Sequence, residues 1–360
     1  MFDSNELLRL RAIGLTPSII QRLVAMPATM TEPHLFRVTE VQREGLTLHD
    51  GDRELTGRQL PGLITSLLEA QDAIAVGDWV LAESNPYGEW WVTDRVPPIN
   101  QIARRLHDGR DKVTRVVLVS NVDTALLVMG LDHDFNLRRL ERYLALAQLC
   151  ELDAVVVLTK ADLCGEVDSR RREVEAILPR RAALVSLNAL TDEPLTQLSP
   201  WLQPGSTVVL LGSSGAGKST LSNALIGSAV QRTGANRADD SRGRHTTTSR
   251  SLHATLPGGC IIDTPGLRTL RLDAEADAVG QVFGDIAELS ALCRFRNCLH
   301  EGEPGCAVRE AVPSDRLRSF HKLMREAKRD SMTALERKAQ VSVWKSRSRL
   351  AKTIGKGKRG

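Results

Sequence analysis

Three things are missing from this 360-residue chain, and each excludes a class of protein. No apolar run approaches the roughly 20 residues that a membrane-spanning helix needs, so no role within a membrane is expected. The opening Met1-Phe2-Asp3-Ser4-Asn5-Glu6 is acidic and polar and lacks the basic-then-apolar layout of a secretory leader, so a cytoplasmic location is expected. There is no internal repeat, and only the Gly/Lys/Arg-rich end is of low complexity. What remains is 42% hydrophobic and 26% charged, a globular composition too apolar for wholesale disorder. The length suits about two or three domains, each with its own core.

Cysteine is scarce and unevenly placed. Cys150, Cys164 and Cys260 lie among apolar neighbours and are expected to pack as small buried residues. Cys293, Cys298 and Cys306 cluster with His300, which in a cytosolic chain argues for metal rather than disulfides. Three thiolates and one imidazole make a closed tetrahedral zinc site with no open position, so the expected zinc is structural. Unpaired cysteines are the alternative. His107, His133 and His253 have no such partners and are expected as surface or packing residues.

Charge is uneven too. The net value is only +4, but from about Arg316 onward basic residues far outnumber acids, ending in Lys356-Gly357-Lys358-Arg359. Such a tail could contact nucleic-acid phosphates or simply be a solvated terminus.

Texture divides the chain into five stretches. Residues 1–33 carry the apolar spacing of short helices broken at Gly14 and Pro17. Residues 34–112 alternate in short runs such as Phe36-Arg37-Val38-Thr39 and Trp90-Trp91-Val92-Thr93, which predicts a small β domain; a five-stranded oligonucleotide-binding (OB) barrel is the leading candidate. Residues 113–275 read as α/β, with near-continuous apolar strands that imply a parallel sheet covered on both faces. The strand-like runs there include Val116–Val119, Ala125–Met129, Ala154–Leu158 and Val208–Leu211. Residues 276–335 hold the Cys/His cluster and most of a basic helical stretch that runs roughly from Ser314 to Arg337, and 336–360 form the basic tail.

Two segments of the α/β region carry chemistry. Gly212-Ser213-Ser214-Gly215-Ala216-Gly217-Lys218-Ser219-Thr220 follows a strand and opens a helix. Its glycines let backbone N–H groups turn onto phosphates, Lys218 would reach the β- and γ-phosphates, and Ser219 would place its hydroxyl on Mg²⁺. Thr159-Lys160-Ala161-Asp162 follows another buried strand. Asp162 can accept from guanine's ring N–H and exocyclic amine, a donor pair adenine lacks, while the Lys160 stem would cover the base. Asn usually stands where Thr159 does, so one supporting contact is expected to be weaker. Ser186-Leu187-Asn188 could supply a backbone donor to the guanine oxygen.

The switch signals lie further on. Asp263-Thr264-Pro265-Gly266 ends an apolar strand, so Asp263 would hold Mg²⁺ through water and the Gly266 N–H would sense the γ-phosphate. Thr247, within Arg244-His245-Thr246-Thr247-Thr248, would coordinate Mg²⁺ only when that phosphate is present. Leu267 stands where a water-positioning Gln is usual and cannot orient water, so intrinsic hydrolysis should be slow. His245 is the candidate to take that role, or else a surface histidine in a mobile loop. The base tetrad precedes the phosphate loop, the reverse of the usual order, and this implies a circularly permuted GTPase.

These segments, with Asn121-Val122-Asp123 and the Cys/His cluster, together resemble the bacterial RsgA (YjeQ) family of small-subunit-dependent GTPases. The resemblance implies an OB barrel, a permuted GTPase centre and a mainly helical zinc-binding domain. It also implies a monomer that binds the 30S ribosomal subunit and 16S rRNA, assists late subunit maturation, and hydrolyses GTP to GDP under stimulation by the subunit. Lys218, His245 and Thr247 would carry the catalytic roles. A placeholder that binds rRNA and uses GTP only as a structural ligand is the second reading, supported by Leu267. A metabolic P-loop ATPase is a third, disfavoured by Asp162.

Overall fold

A computed structural model describes residues 4–27, 34–107, 113–227, 250–264 and 283–331. Five strands form the N-terminal barrel: β1 (His34–Val41), β2 (Leu46–His49), β3 (Glu54–Gln59), β4 (Trp79–Ser84) and β5 (Trp90–Arg95). They run in the order β1-β2-β3-β5-β4, and β1 pairs with β4 to close the ring. Closure removes the free edges that an open sheet would expose. Helix α3 (Pro61–Glu69), with Pro61 at its first turn, connects β3 to β4. This is the OB barrel expected from the strand spacing.

Alternation within β1 explains its burial. Phe36 and Val38 point into the barrel core with Leu48, Val80 and Val92. Arg37 and Thr39 face the other way and are nevertheless buried, because other parts of the chain cover that face. For Arg37 the cover includes the turn at Ile13 and Gly14, which joins α1 (Ser4–Ala12) to α2 (Pro17–Val24). Pro17 does not break a helix; it starts α2 at the position where its missing N–H costs nothing, behind the Thr16 cap. Arg37 donates to Ile13 O, to Thr207 Oγ1 at 2.9 Å and to Asn121 O at 3.1 Å, and its guanidinium lies 5.4 Å from the Trp79 ring centroid.

The α/β region is a six-stranded sheet ordered β10-β9-β8-β11-β13-β12. The strands are β8 (Thr124–Gly130), β9 (Asp153–Thr159), β10 (Ala183–Ser186), β11 (Thr207–Gly212), β12 (Ser251–Ala254) and β13 (Cys260–Asp263). All neighbours pair parallel except β12 with β13. Around it lie α4 (Leu137–Leu149), α5 (Val167–Glu175), α6 (Glu193–Gln197) and α7 (Lys218–Ile226). Every residue of β8 and β11 is buried, which is why both read as continuous apolar runs.

Two features were not legible. The run Val116–Val119 lies in β7 (Val113–Ser120), which pairs with β6 (Gln101–His107) in a separate two-stranded sheet rather than in the parallel one. The barrel and the parallel sheet are also one hydrogen-bonded surface, because β1 pairs antiparallel with β12 at Glu40 and Ser251.

The C-terminal region forms its own compact unit. It contains α8 (Gly284–Ser290), α9 (Ala307–Ala311) and α10 (Ser314–Ser331). Phe283 and Phe320 stack edge-to-face at 5.4 Å, and Arg316 grips Asp285 through two 2.8 Å bonds while lying over Phe283. The expected helix from Ser314 is present to Ser331; its expected continuation to Arg337 and the basic tail lie outside the described residues.

Candidate functional site

The phosphate loop sits on a cluster of buried apolar residues. Val128, Val157, Leu210, Leu221 and Leu225 lie fully or almost fully out of water beneath it. Each such side chain contributes about 1.5–3 kcal/mol by burial, so the strand ends that carry the loop are firmly held. A Cβ on Gly212 would meet Val128 O at 2.3 Å, so only glycine lets β11 approach β8 there. Gly215 and Gly217 have φ of 84° and 93°, values that side chains disfavour. Lys218 Nζ donates to Gly212 O at 2.8 Å and Ser213 O at 2.5 Å, folding the ammonium back over the loop mouth.

The base tetrad closes onto this loop from the neighbouring side. Thr159 is fully buried, and its hydroxyl donates to Ala216 O at 2.6 Å. The Thr159 side chain thereby ties the tetrad to the phosphate loop. Lys160, at φ 60°, donates to Gly215 O at 2.8 Å and to Asp132 Oδ2 at 2.6 Å. Ala161 and Asp162 begin a single 3-10 turn, leaving the Asp162 carboxylate exposed beside the loop. The backbone donor proposed from Ser186 to Asn188 fares less well. Leu187 N already donates to Leu158 O at 2.9 Å, and Asn188 N to Glu193 Oε2 at 2.9 Å.

Asp263 ends β13 almost completely buried, with one carboxylate oxygen that has no hydrogen-bond partner. Burial raises its pKa, and the nearby Lys218 ammonium opposes that rise. An orphaned buried anion needs a compensating cation, and a hydrated Mg²⁺ beside the phosphate loop fits that need. Ser219, in the first turn of α7, is half-buried on the same loop. His245, Thr247, Gly266 and Leu267 lie outside the described residues.

His253, expected as a surface or packing residue, is half-buried on β12. Its Nε2 lies 2.7 Å from Ser251 Oγ, and burial lowers its pKa despite the opposing field of Asp263. Of the scattered cysteines, Cys260 is buried as expected, whereas Cys150 and Cys164 are only half-buried.

The C-terminal unit gathers its four donors as expected. The ligand atoms of Cys293, Cys298, His300 and Cys306 all lie within 4.8 Å of one another. The separations Cys293–His300 Nδ1, His300 Nδ1–Cys306 and Cys293–Cys306 are 3.7, 3.4 and 3.9 Å. Tetrahedral zinc with the usual Zn–S and Zn–N lengths requires edges of about 3.4–3.8 Å, so the cluster is compatible with one zinc ion. Ser290 Oγ lies 3.0 Å from His300 Nε2, which turns Nδ1 toward the sulfurs. Burial and His321 both lower the His300 pKa, favouring the neutral imidazole a metal requires. Glu303 organises the intervening loop by accepting from the N–H groups of Leu299, Glu301 and Gly302.

A GTPase-type sheet whose base tetrad enters before its phosphate loop, preceded by an OB barrel and followed by a Cys/His unit, defines a circularly permuted GTPase. Comparison with known proteins specifies which kind. The RsgA GTPase family model matches residues 99–273. The small ribosomal subunit biogenesis GTPase RsgA 2 of Vibrio parahaemolyticus is 40% identical over 318 residues, covering 83% of this chain and 86% of that protein. The small ribosomal subunit biogenesis GTPase RsgA of Xylella fastidiosa is 42% identical over 289 residues, 80% of this chain and 82% of that one. Among solved structures, YjeQ from Thermotoga maritima superposes with a TM-score of 0.60 at 25% identity, covering 82% of this chain and 99% of that one. The chain belongs to the RsgA GTPase family and is a GTP hydrolase. Among the readings drawn from sequence, the nucleotide-using placeholder and the metabolic ATPase give way.

Proposed function

We propose that this GTPase serves small ribosomal subunit assembly in the cytoplasm, binding the 30S subunit and its 16S rRNA as a monomer and leaving after GTP hydrolysis. The names of its relatives support the ribosomal role. The observation that carries the nucleotide chemistry is the joining of tetrad to loop: Thr159 to Ala216 and Lys160 to Gly215, across more than fifty residues of reversed order. Asp162 then reads guanine and Lys160 covers it, while residues Gly212 to Thr220 wrap the phosphates with backbone N–H groups. Ser219, Asp263 and Thr247 would hold Mg²⁺, which supplies charge neutralisation at the β- and γ-phosphates.

Hydrolysis proceeds by in-line attack of water on the γ-phosphorus. Lys218 and the loop N–H groups stabilise charge on the transferring group, and the Gly266 N–H senses the γ-phosphate. Leu267 offers no hydrogen bond to the attacking water, so His245 takes that position in this proposal and turnover depends on the ribosomal subunit. Zinc at Cys293, Cys298, His300 and Cys306 holds the C-terminal unit together.

Single-turnover GTP hydrolysis with and without 30S subunits tests the proposal, alongside co-sedimentation in GDP and in a non-hydrolysable GTP analogue. Acceleration by the subunit together with nucleotide-dependent binding is expected. Equal rates and equal binding in both states would remove the ribosomal role.

A further inference from the structure

Two carboxylates that belong to no recognised motif are tied to the phosphate loop and the base tetrad. The loop joining β8 to α4 reads Leu131-Asp132-His133-Asp134-Phe135. Acids beside a phosphate site carry a cost, because they repel the ligand unless neutralised. Here both are neutralised. Asp134 is 7% exposed; its Oδ1 accepts from Arg139 Nη2 at 2.6 Å and from Ser213 Oγ at 2.5 Å, and its Oδ2 from Gly130 N at 3.2 Å. Asp132 Oδ2 accepts from Lys160 Nζ at 2.6 Å, the ammonium that also donates to Gly215 O.

The loop that carries them is stiff. Asp132 Oδ1 accepts from Asp134 N at 3.1 Å, and Asn136 caps α4 by accepting from Arg139 N at 3.0 Å. One short segment thus grips the second residue of the phosphate loop and, through Lys160, its fourth. A glycine- and serine-rich loop has many backbone states, and ordering it carries an entropic cost at each residue. Ordering before the ligand arrives removes that cost from binding.

We propose that Asp132 and Asp134 are positioning residues of the guanine-nucleotide site. They brace the phosphate loop and the base-covering lysine so that the site is assembled before nucleotide enters. The inference rests on reading tetrad and loop as one nucleotide site. Neither carboxylate contacts a reacting atom, so their loss should fall on nucleotide release and KM more than on kcat.

The test uses the full chain with Ser213→Ala, Asp134→Asn, the double variant and Asp132→Asn. Release of a fluorescent GDP is followed by stopped flow, steady-state GTP hydrolysis yields KM and kcat, and a thermal melt reports folding. Each single variant should release GDP about 3–10-fold faster, the fold-change that one net protein hydrogen bond is worth. Because Ser213 and Asp134 act through one contact, the double variant should be no faster than the quicker single. For Asp134→Asn, KM should rise more than kcat falls. Release rates unchanged in the folded singles, effects that multiply in the double, or a kcat loss with unchanged release would each overturn the proposal. If Asp134→Asn fails to fold, Ser213→Ala and Asp132→Asn decide it by release rate. A parent protein that shows no preference for GDP over ADP would instead sink the nucleotide-site reading itself.

Discussion

The phosphate loop and the Cys/His cluster are both places where several polar groups converge, yet they are held in opposite ways. Beneath the phosphate loop, β8 and β11 are buried along their whole length, and the loop is tied down by hydrogen bonds that it accepts from Thr159 and Lys160 and by one that its Ser213 gives to Asp134. Around the cluster the elements are short, no regular structure is assigned between Ser290 and Ala307, and Leu292 and Leu299 are 72% and 67% exposed. Burial organises the first region. The second has too little apolar surface to fix its loop, so four donors stand ready for a cation to do it.

That contrast can be broken. The largest effects should follow removal of charge or metal from one region while the other stays intact. Lys218→Ala is expected to lower GTP turnover by at least about a hundredfold, as loss of a transition-state charge stabiliser does, with zinc content measured by atomic absorption unchanged at one per chain. Cys306→Ser, or a strong chelator, is expected to release zinc and unfold the C-terminal unit by circular dichroism, with guanine-nucleotide affinity retained. Simultaneous loss of nucleotide binding would show that the two regions are not held independently.

Asp162→Asn sharpens the comparison within the first region. Selectivity for GTP over xanthosine triphosphate should fall by about a hundredfold or more in competition binding, while the melting temperature moves little, because Asp162 is exposed. Preserved selectivity would separate the tetrad from the base.

Smaller effects are expected where the barrel meets the sheet. Arg37→Met removes donors from Ile13 O, Asn121 O and Thr207 Oγ1 at a fully buried position, and a destabilisation of about 1–3 kcal/mol in urea unfolding should follow. Asp78, also completely buried, is raised to about 6 by desolvation, with Arg95 opposing the rise. The native state therefore binds a proton that the unfolded chain has already lost between roughly pH 4 and 6, so this group's contribution to stability declines as pH rises through that window. Its slope there is about 1.4 kcal/mol per pH unit at most, and Asp78→Asn should flatten it in melts taken from pH 4 to 6.

Much of this was readable from local pattern. The glycines of Gly212 to Gly217 announce a backbone that must turn inward, and Cys293, Cys298, His300 and Cys306 announce their chemistry by residue type and closeness. Val116–Val119 shows the limit, since an apolar run marks a strand but not its partner, and this one pairs with β6 instead of joining the parallel sheet. Asp132 and Asp134 show it again: an Asp-x-Asp before a helix is an ordinary helix entry, and its role appears only when Ser213, 79 residues later, arrives 2.5 Å away.

The order of segments along the chain determined that this is a permuted GTPase, because covalent sequence alone says which element enters first. Apolar periodicity and glycine placement likewise specified strands and turns, since both act over a few neighbouring residues. Folding in three dimensions decided the rest: which carboxylates brace the loop, how the barrel joins the sheet through Glu40 and Ser251, and why an arginine at position 37 is tolerated out of water. Those contacts link residues 170 positions apart, as in Arg37 and Thr207, and the still more widely separated Glu40 and Ser251. Hydrogen bonds over such separations leave no period or spacing in the chain, and only packing brings their partners within reach.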